Sequence, residues 1–204
     1  MTELVLVRHG ETVWHSDRYA GRSDVPLTPR GREQAAELAR WAARADLDAV
    51  LTSPLRRARE TATAAAEAAG LACRVDGRLV EVDFGKADGH TREETSAEYP
   101  DAVAAFLRRP ASAPLPGGEP GADAVARAAP VLAEAVAAHP DGRVLVVAHQ
   151  TLLRLLLCSM LGLPLDHYRA VFPRLENGAR TVVRPAADGP AALLRLNDLG
   201  PPGS

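Results

Sequence analysis

The sequence predicts an α/β fold of three layers, a mostly parallel central sheet flanked by helices. Three observations carry this expectation. Short runs rich in Val and Leu alternate with helix-length segments along the chain, the order expected of strands joined by crossover helices. Most of these runs are apolar throughout, as strands covered on both faces are. Two of them end in a histidine, at Arg8-His9 and Ala148-His149, and in such sheets sites form at the carboxyl ends of strands.

In chain order the strands fall at 4–7, 50–52, 72–75, 144–148, 180–184 and 193–196, each a Val- or Leu-rich run of strand length. Helices are expected at 31–45, 55–69, 92–107, 123–138 and 151–161. The first has a start signal in Thr28-Pro29 with Glu33 nearby, and Ala35, Leu38, Ala39 and Ala42 trace one helical face. Pro130 falls inside the fourth and is expected to kink it or open a new segment, since proline removes a backbone donor and crowds the preceding turn. The stretch 109–121, RPASAPLPGGEPG, reads as a loop that could act as a flap over a pocket. One domain, 1–199, accounts for the chain, with GPPGS at 200–204 as a disordered tail.

A chain of 204 residues is long enough to bury about 70% of the surface its unfolded form exposes. Lys and Arg total 24 against 26 Asp and Glu, a net charge of -2, so the balance does not point to nucleic acid or an anionic membrane. Cys73 and Cys158 have no Cys-x-x-Cys or histidine neighbour, which fits inert thiols in a reducing compartment. The N-terminus lacks a basic leader region, and Arg154 interrupts the longest apolar stretch, so a soluble cytoplasmic protein is expected.

Of the six histidines, at 9, 15, 90, 139, 149 and 167, only His9 and His149 directly follow apolar strands. A zinc site would need further ligands at close spacing, and the chain has no His-x-x-x-His and no paired cysteine. Neither metal nor cofactor is therefore expected. An anion site fits better. Arg8 adjoins His9, Arg57 stands in SPLRRARETA, and a helix begins near Thr151 just after His149. Guanidinium groups bind phosphate in bidentate fashion, and helix N-termini offer unpaired N–H groups.

At this point LVRHGET, DVPLTPRGREQA, TSPLRRARETA, LVEVDFG and VLVVAHQTLLRLLL, in that order over 4 to about 162, resemble the successive motifs of the histidine phosphatase superfamily, in its phosphoglycerate mutase-like branch. The resemblance implies that His9 is the nucleophile that takes a phosphoryl group and that Arg8, Arg57 and His149 hold its oxygens. It also implies that Glu81 is the proton donor. Asp83 is the rival two residues on, facing the same side if the stretch is extended; Glu81 is preferred because it sits closer to an apolar run, and burial suits a proton donor. His15, Gly21 and Gln150 complete the expected substrate-binding set, and Thr151 can add a backbone donor. Arg56 and Arg59, beside Arg57, read better as solvated helix residues. His90, Arg92, Tyr99, Phe106, Arg108 and Arg109 lie in the segment that covers the site in this family, where they either select the rest of the substrate or form plain surface.

Three departures stand out. His15 takes the place of a usual asparagine and Ala20-Gly21 that of Gln-Gly; a protonated His15 would bind phosphate better and shift activity toward acid. Ala87-Asp88-Gly89 replaces a usual Trp-Glu-Gly, which suggests a less bulky pocket wall. The expected activity is hydrolysis of a small phosphorylated metabolite, because the stretch between Glu81 and His149 lacks the long insertions of the mutases. Phosphoryl transfer of the mutase type is the alternative, and a non-catalytic phospho-ligand binder the third. The expected partner is the small phosphorylated substrate, with no nucleic acid and no membrane, and a homodimer stays open.

Overall fold

The computed structural model describes residues 1–14 and 18–200. A six-stranded sheet in the order β3-β2-β4-β1-β5-β6 forms the middle layer. Its strands are β1 (Glu3–Arg8), β2 (Ala49–Thr52), β3 (Cys73–Val75), β4 (Arg143–Ala148), β5 (Arg180–Arg184) and β6 (Ala192–Asp198). The first four in chain order pair in parallel, while β5 runs antiparallel to both β1 and β6. Helices α1 (Pro29–Ala42) and α2 (Arg56–Ala68) pack on one face. Helices α5 (Gly121–Ala138) and α6 (Gln150–Met160) cover the other, with α3 (Arg92–Glu98), α4 (Pro100–Arg108) and α7 (Tyr168–Val171) beyond.

Strand alternation divides the core in two. Val5, Val7, Val50, Leu145 and Val147 meet Leu38, Ala58, Ala62 and Ala65 on one side. Leu4, Leu6, Val144 and Val146 meet Val131, Leu132, Leu152, Leu155 and Leu156 on the other. Successive side chains of a strand point to opposite faces, so an all-apolar strand needs two helical layers. The layers end before β6, where Leu193, Leu194 and Leu196 remain 38%, 40% and 46% exposed.

Local signals explain most boundaries. Thr28 caps α1 by accepting from the Gly31 N–H at 3.0 Å, and Pro29 occupies the first turn, where its missing N–H is not needed. The helix expected over 92–107 is instead two. Tyr99 precedes Pro100, leaves the helical region at φ -131°, ψ 60°, and α4 restarts at the proline. By contrast α5 continues through Pro130 without a new segment, because its packing against α6 holds the helix where propensity alone would interrupt it.

The sheet register builds the site. Arg8 pairs with Ala148, and the His9 N–H extends the ladder to the Ala148 carbonyl at 3.0 Å. The two histidines expected at strand ends therefore emerge side by side. On the next strand Ser53 N donates to the Val147 carbonyl at 3.2 Å, which brings the start of α2 and Arg57 to the same edge.

Candidate active site

His9 is 7% exposed, and its Nδ1 lies 2.7 Å from the carbonyl of Gly10. A carbonyl can only accept, so Nδ1 carries the proton and Nε2 the lone pair. The Arg57 Nε–H donates toward His9 Nε2 at 3.2 Å and toward His149 Nδ1 at 3.3 Å, with ring centroids 5.2 Å apart. An arginine N–H can only donate, so His149 accepts at Nδ1 and its Nε2–H donates to Ser53 Oγ at 2.7 Å. Complete burial, with Arg57 and His9 adjoining, holds His149 well below the usual histidine range, and it is neutral.

Arg57 is wholly enclosed, and burial lowers its pKa. Its terminal nitrogens donate to the carbonyls of Ser23 at 2.6 Å, Gly21 at 2.8 Å and Ala20 at 3.2 Å. That turn is held in its own right by Asp88, whose carboxylate accepts from the N–H groups of Gly21 (2.9 Å), Arg22 (3.1 Å) and Ser23 (3.0 Å). Sequence reasoning treated Asp88 only as part of a thinner wall. It is a clamp on the turn that orients Arg57. The signal available was a carboxylate beside a glycine in a short polar turn, which is too common to single out.

Arg8 donates to Gln150 Oε1 at 3.0 Å and to the Leu175 carbonyl at 2.9 Å, while its Nε is buried without a partner. Burial lowers its pKa to about 10, an effect opposed by nearby Glu81, so it stays a cation at neutral pH. Glu81 is 4% exposed and accepts from three backbone groups: Val82 N at 2.8 Å, Thr151 N at 2.9 Å and Leu152 N at 2.9 Å. His149 provides no side-chain cap for α6; the Glu81 carboxylate caps it instead, where the helix dipole favours negative charge. This also explains why the start of α6 supplies fewer unpaired donors than the sequence suggests, since the Thr151 N–H is taken.

A cavity of about 570 Å³ opens over this floor. His9, Arg8, Glu81, Gln150 and Thr151 line it, Trp14, Tyr19 and Phe84 form one wall, and Arg18, Arg92, Arg154, Arg169 and Arg174 stand around it. Arg57 and His149, both fully buried, lie behind His9. Asp83 turns away, accepting from Gly85 N at 2.7 Å and facing Arg22 at 3.5 Å. The expected substrate contact at Gly21 is corrected: its N–H is taken by Asp88 and its carbonyl by Arg57, and it does not line the cavity. His15 lies outside the described residues.

Of the covering segment, only Arg92 reaches the cavity. Phe106 is buried behind Tyr19 and Phe84, with centroids 6.5 Å from each. His90, Tyr99, Arg108 and Arg109 are not among the lining residues. The loop expected as a flap is pinned into the fold instead. Ala111 N and Ser112 N donate to Asp166 at 2.8 and 2.9 Å, and Leu115 is 2% exposed. Among the described residues no group of three or more His, Cys, Asp or Glu could hold a metal ion, and no helix is long and apolar enough to cross a membrane. Sequence reasoning missed Ser53, the partner of His149, and Asn177, whose Nδ2 donates to the His9 carbonyl at 2.7 Å. It also missed Trp14 and Tyr19, which carry no motif.

Residues 4–199 match the histidine phosphatase superfamily (branch 1). Phosphoserine phosphatase 1 of Hydrogenobacter thermophilus is 35% identical over 169 residues, 82% of this chain and 80% of that protein. Glucosyl-3-phosphoglycerate phosphatase of Mycobacterium tuberculosis is 36% identical over 177 residues, 82% and 79% of the two chains. The solved structure of Bacillus stearothermophilus YhfR superposes with a TM-score of 0.90 at 30% identity, covering 98% of each chain. With the match spanning nearly the whole sequence and the paired histidines and arginines meeting at one sheet edge, the chain belongs to the histidine phosphatase superfamily, branch 1.

Proposed function

We propose that the protein is a cofactor-independent phosphatase that hydrolyses a small phosphorylated metabolite through a phosphohistidine at His9 Nε2. The observation that carries this reading is the His9 tautomer. Its Nδ1–H is held on the Gly10 carbonyl at 2.7 Å, which leaves Nε2 as the nucleophilic nitrogen, and His9 is the histidine of the pair that lines the cavity. The phosphatase names of the relatives support the same reaction class.

In the first step Nε2 bonds to phosphorus and the ester P–O bond breaks. The leaving alkoxide takes a proton from the Glu81 carboxyl, the acid that reaches the cavity where Asp83 does not. Arg8 and Arg57 oppose the charge on the phosphoryl oxygens as it spreads in the transition state. His149 aligns Arg57 from behind by accepting its Nε–H at Nδ1. In the second step water attacks phosphorus, Glu81 takes the proton, and the P–N bond breaks to release phosphate and restore His9.

Incubation with p-nitrophenyl phosphate is expected to release phosphate in wild type and to form an acid-labile phosphoprotein that His9→Ala does not form. Equal rates in the two proteins would overturn the mechanism. Isomerisation of 3-phosphoglycerate without net phosphate release would put the transfer reading first, and ligand binding without turnover over a broad phosphate panel would favour a binder.

A further inference from the structure

The carbonyl that holds His9 is itself held. Gly10 has no side chain, and glycine loses more conformational freedom on ordering than any other residue, so a fixed carbonyl at this point needs contacts from elsewhere in the chain. Two side chains supply them, one on each side of the residue. Gln34 of α1 accepts from the Glu11 N–H at 2.8 Å through its Oε1, and Thr61 of α2 accepts from the Gly10 N–H at 3.0 Å through its Oγ1. Thr61 is wholly buried and donates its own hydroxyl proton to the Arg57 carbonyl at 2.7 Å, which leaves a lone pair for Gly10. The peptide between His9 and Gly10 is gripped at its other end as well, where Asn177 Nδ2 donates to the His9 carbonyl at 2.7 Å.

These contacts run a chain of hydrogen bonds through one peptide group. The Glu11 N–H and the Gly10 carbonyl belong to the same planar, conjugated unit. Gln34 Oε1 takes the N–H at one end, and the carbonyl at the other takes the His9 Nδ1–H at 2.7 Å. Hydrogen bonds in such a chain polarise one another, so the glutamine makes the carbonyl a stronger acceptor. A stronger acceptor at Nδ1 leaves more electron density at Nε2, as with metal-binding histidines whose basicity an outer partner raises.

Resting on the phosphatase reading, we propose that Gln34 and Thr61 are positioning residues for phosphoryl transfer to His9, because together they fix and polarise the peptide groups around Gly10 that hold its Nδ1–H. Neither side chain lines the cavity, so both act through the backbone. Gln34 sets the strength of the Gly10 carbonyl as an acceptor, and Thr61 sets its direction. Thr61 also ties the first turn of α2, where Arg57 begins, to the same glycine. One hydroxyl therefore sets the arginine and the histidine relative to each other.

Proton NMR of protein carrying isotope-labelled histidine reads the Nδ1–H directly, assigned by its absence from His9→Ala. Wild type is expected to show this resonance far downfield. Gln34→Leu should move it upfield and lower kcat/KM for p-nitrophenyl phosphate by on the order of tenfold, the lower end for contacts that orient a functional histidine from behind. Inhibition by inorganic phosphate, which reports on the anion-binding groups, should change little in that variant. Gln34→Glu keeps an acceptor in place and should hold the resonance at its wild-type position or further downfield. Thr61→Val, of the same shape without the hydroxyl, should also move the resonance upfield, and Thr61→Ser should restore it. No Nδ1–H resonance in wild type would overturn the proposal, and an unmoved resonance in Gln34→Leu or in Thr61→Val would overturn the role of that residue. Loss of activity matched by an equal loss of phosphate inhibition in Gln34→Leu would mark a purely structural role and overturn the proposal for Gln34. Should Gln34→Leu fail to fold, Thr61→Val and Thr61→Ser decide. The resonance is read in resting protein, and turnover of p-nitrophenyl phosphate by wild type tests the phosphatase reading separately. Shifted resonances in a protein without turnover would overturn that reading and leave the hydrogen-bond chain standing.

Discussion

In the proposed mechanism Glu81 serves as proton donor as well as cap of α6, two functions whose requirements differ, and its substitution should separate them. As a proton donor it matters most where the leaving group is basic, so Glu81→Gln should lower kcat for an alkyl phosphate by about 10² to 10⁴, and for p-nitrophenyl phosphate by much less. As the cap of α6 it accepts from Val82, Thr151 and Leu152. A glutamine can turn only one acceptor to those three donors, so stability should fall by about 1–3 kcal/mol in a urea titration. Equal losses on both substrates would remove the proton-donor role. For His15 the proposal remains that a protonated ring binds phosphate. His15→Asn should then raise activity at alkaline pH relative to acid, and a profile identical to wild type would remove that idea.

Two element contacts hold His9 in place. The turn at Gly10 and the start of α1 touch backbone to backbone: a Cβ on Gly10 would stand 2.4 Å from the Gly31 carbonyl, and one on Gly31 would stand 2.1 Å from that of Glu11. Gly31→Ala must push α1 off the segment whose carbonyl orients His9. It should cost about 1–3 kcal/mol of stability and reduce kcat, both readable in a single preparation. The Asp88 clamp acts on the other side of the site. Asp88→Ala leaves three N–H groups of the Arg57-binding turn without an acceptor. We expect a lower kcat together with a lower Tm, and Asp88→Glu to recover more activity than Asp88→Asn if the charge is what holds the turn. A kcat unaffected by Asp88→Ala would show that the turn holds Arg57 unaided.

At the scale of the molecule, His149 makes folding depend on pH. Its folded pKa lies well below the ordinary histidine value of 6.5, so the unfolded chain takes up a proton that the folded one refuses. Above the unfolded value, about 6.5, neither state is charged and the full stability is present. As pH falls below it the unfolded state gains the proton, and stability drops by up to about 1.4 kcal/mol per pH unit from this group until the folded pKa is reached. Tm should therefore decline between pH 7 and 5, and His149→Gln should flatten the decline. A slope unchanged by that substitution would place the proton uptake elsewhere.

Periodicity and apolar runs were enough to read the strands, because an all-apolar strand satisfies its surroundings only between two helical layers, and that need is written in the residues themselves. The sequence puts His9, Arg8, Arg57 and His149 forward from strand ends and a helix start, and Glu81 from the motif it resembles; the structure brings the five side chains to one edge of the sheet. The sequence could not decide which donors remain for a ligand. Gly21 and the Thr151 N–H carry the right groups, yet Asp88 and Glu81 occupy them, and such pairing depends on contacts between segments some 70 residues apart. Pro130 and the loop expected at 109–121 show the same limit, since packing against α6 and hydrogen bonds to Asp166 override local preference. Tertiary structure alone brought Arg154 against the ring of Tyr168, beside its neighbour Arg169. Local sequence determines where a charge can be placed, and the burial and pairing of that charge are decided only when distant segments close around it.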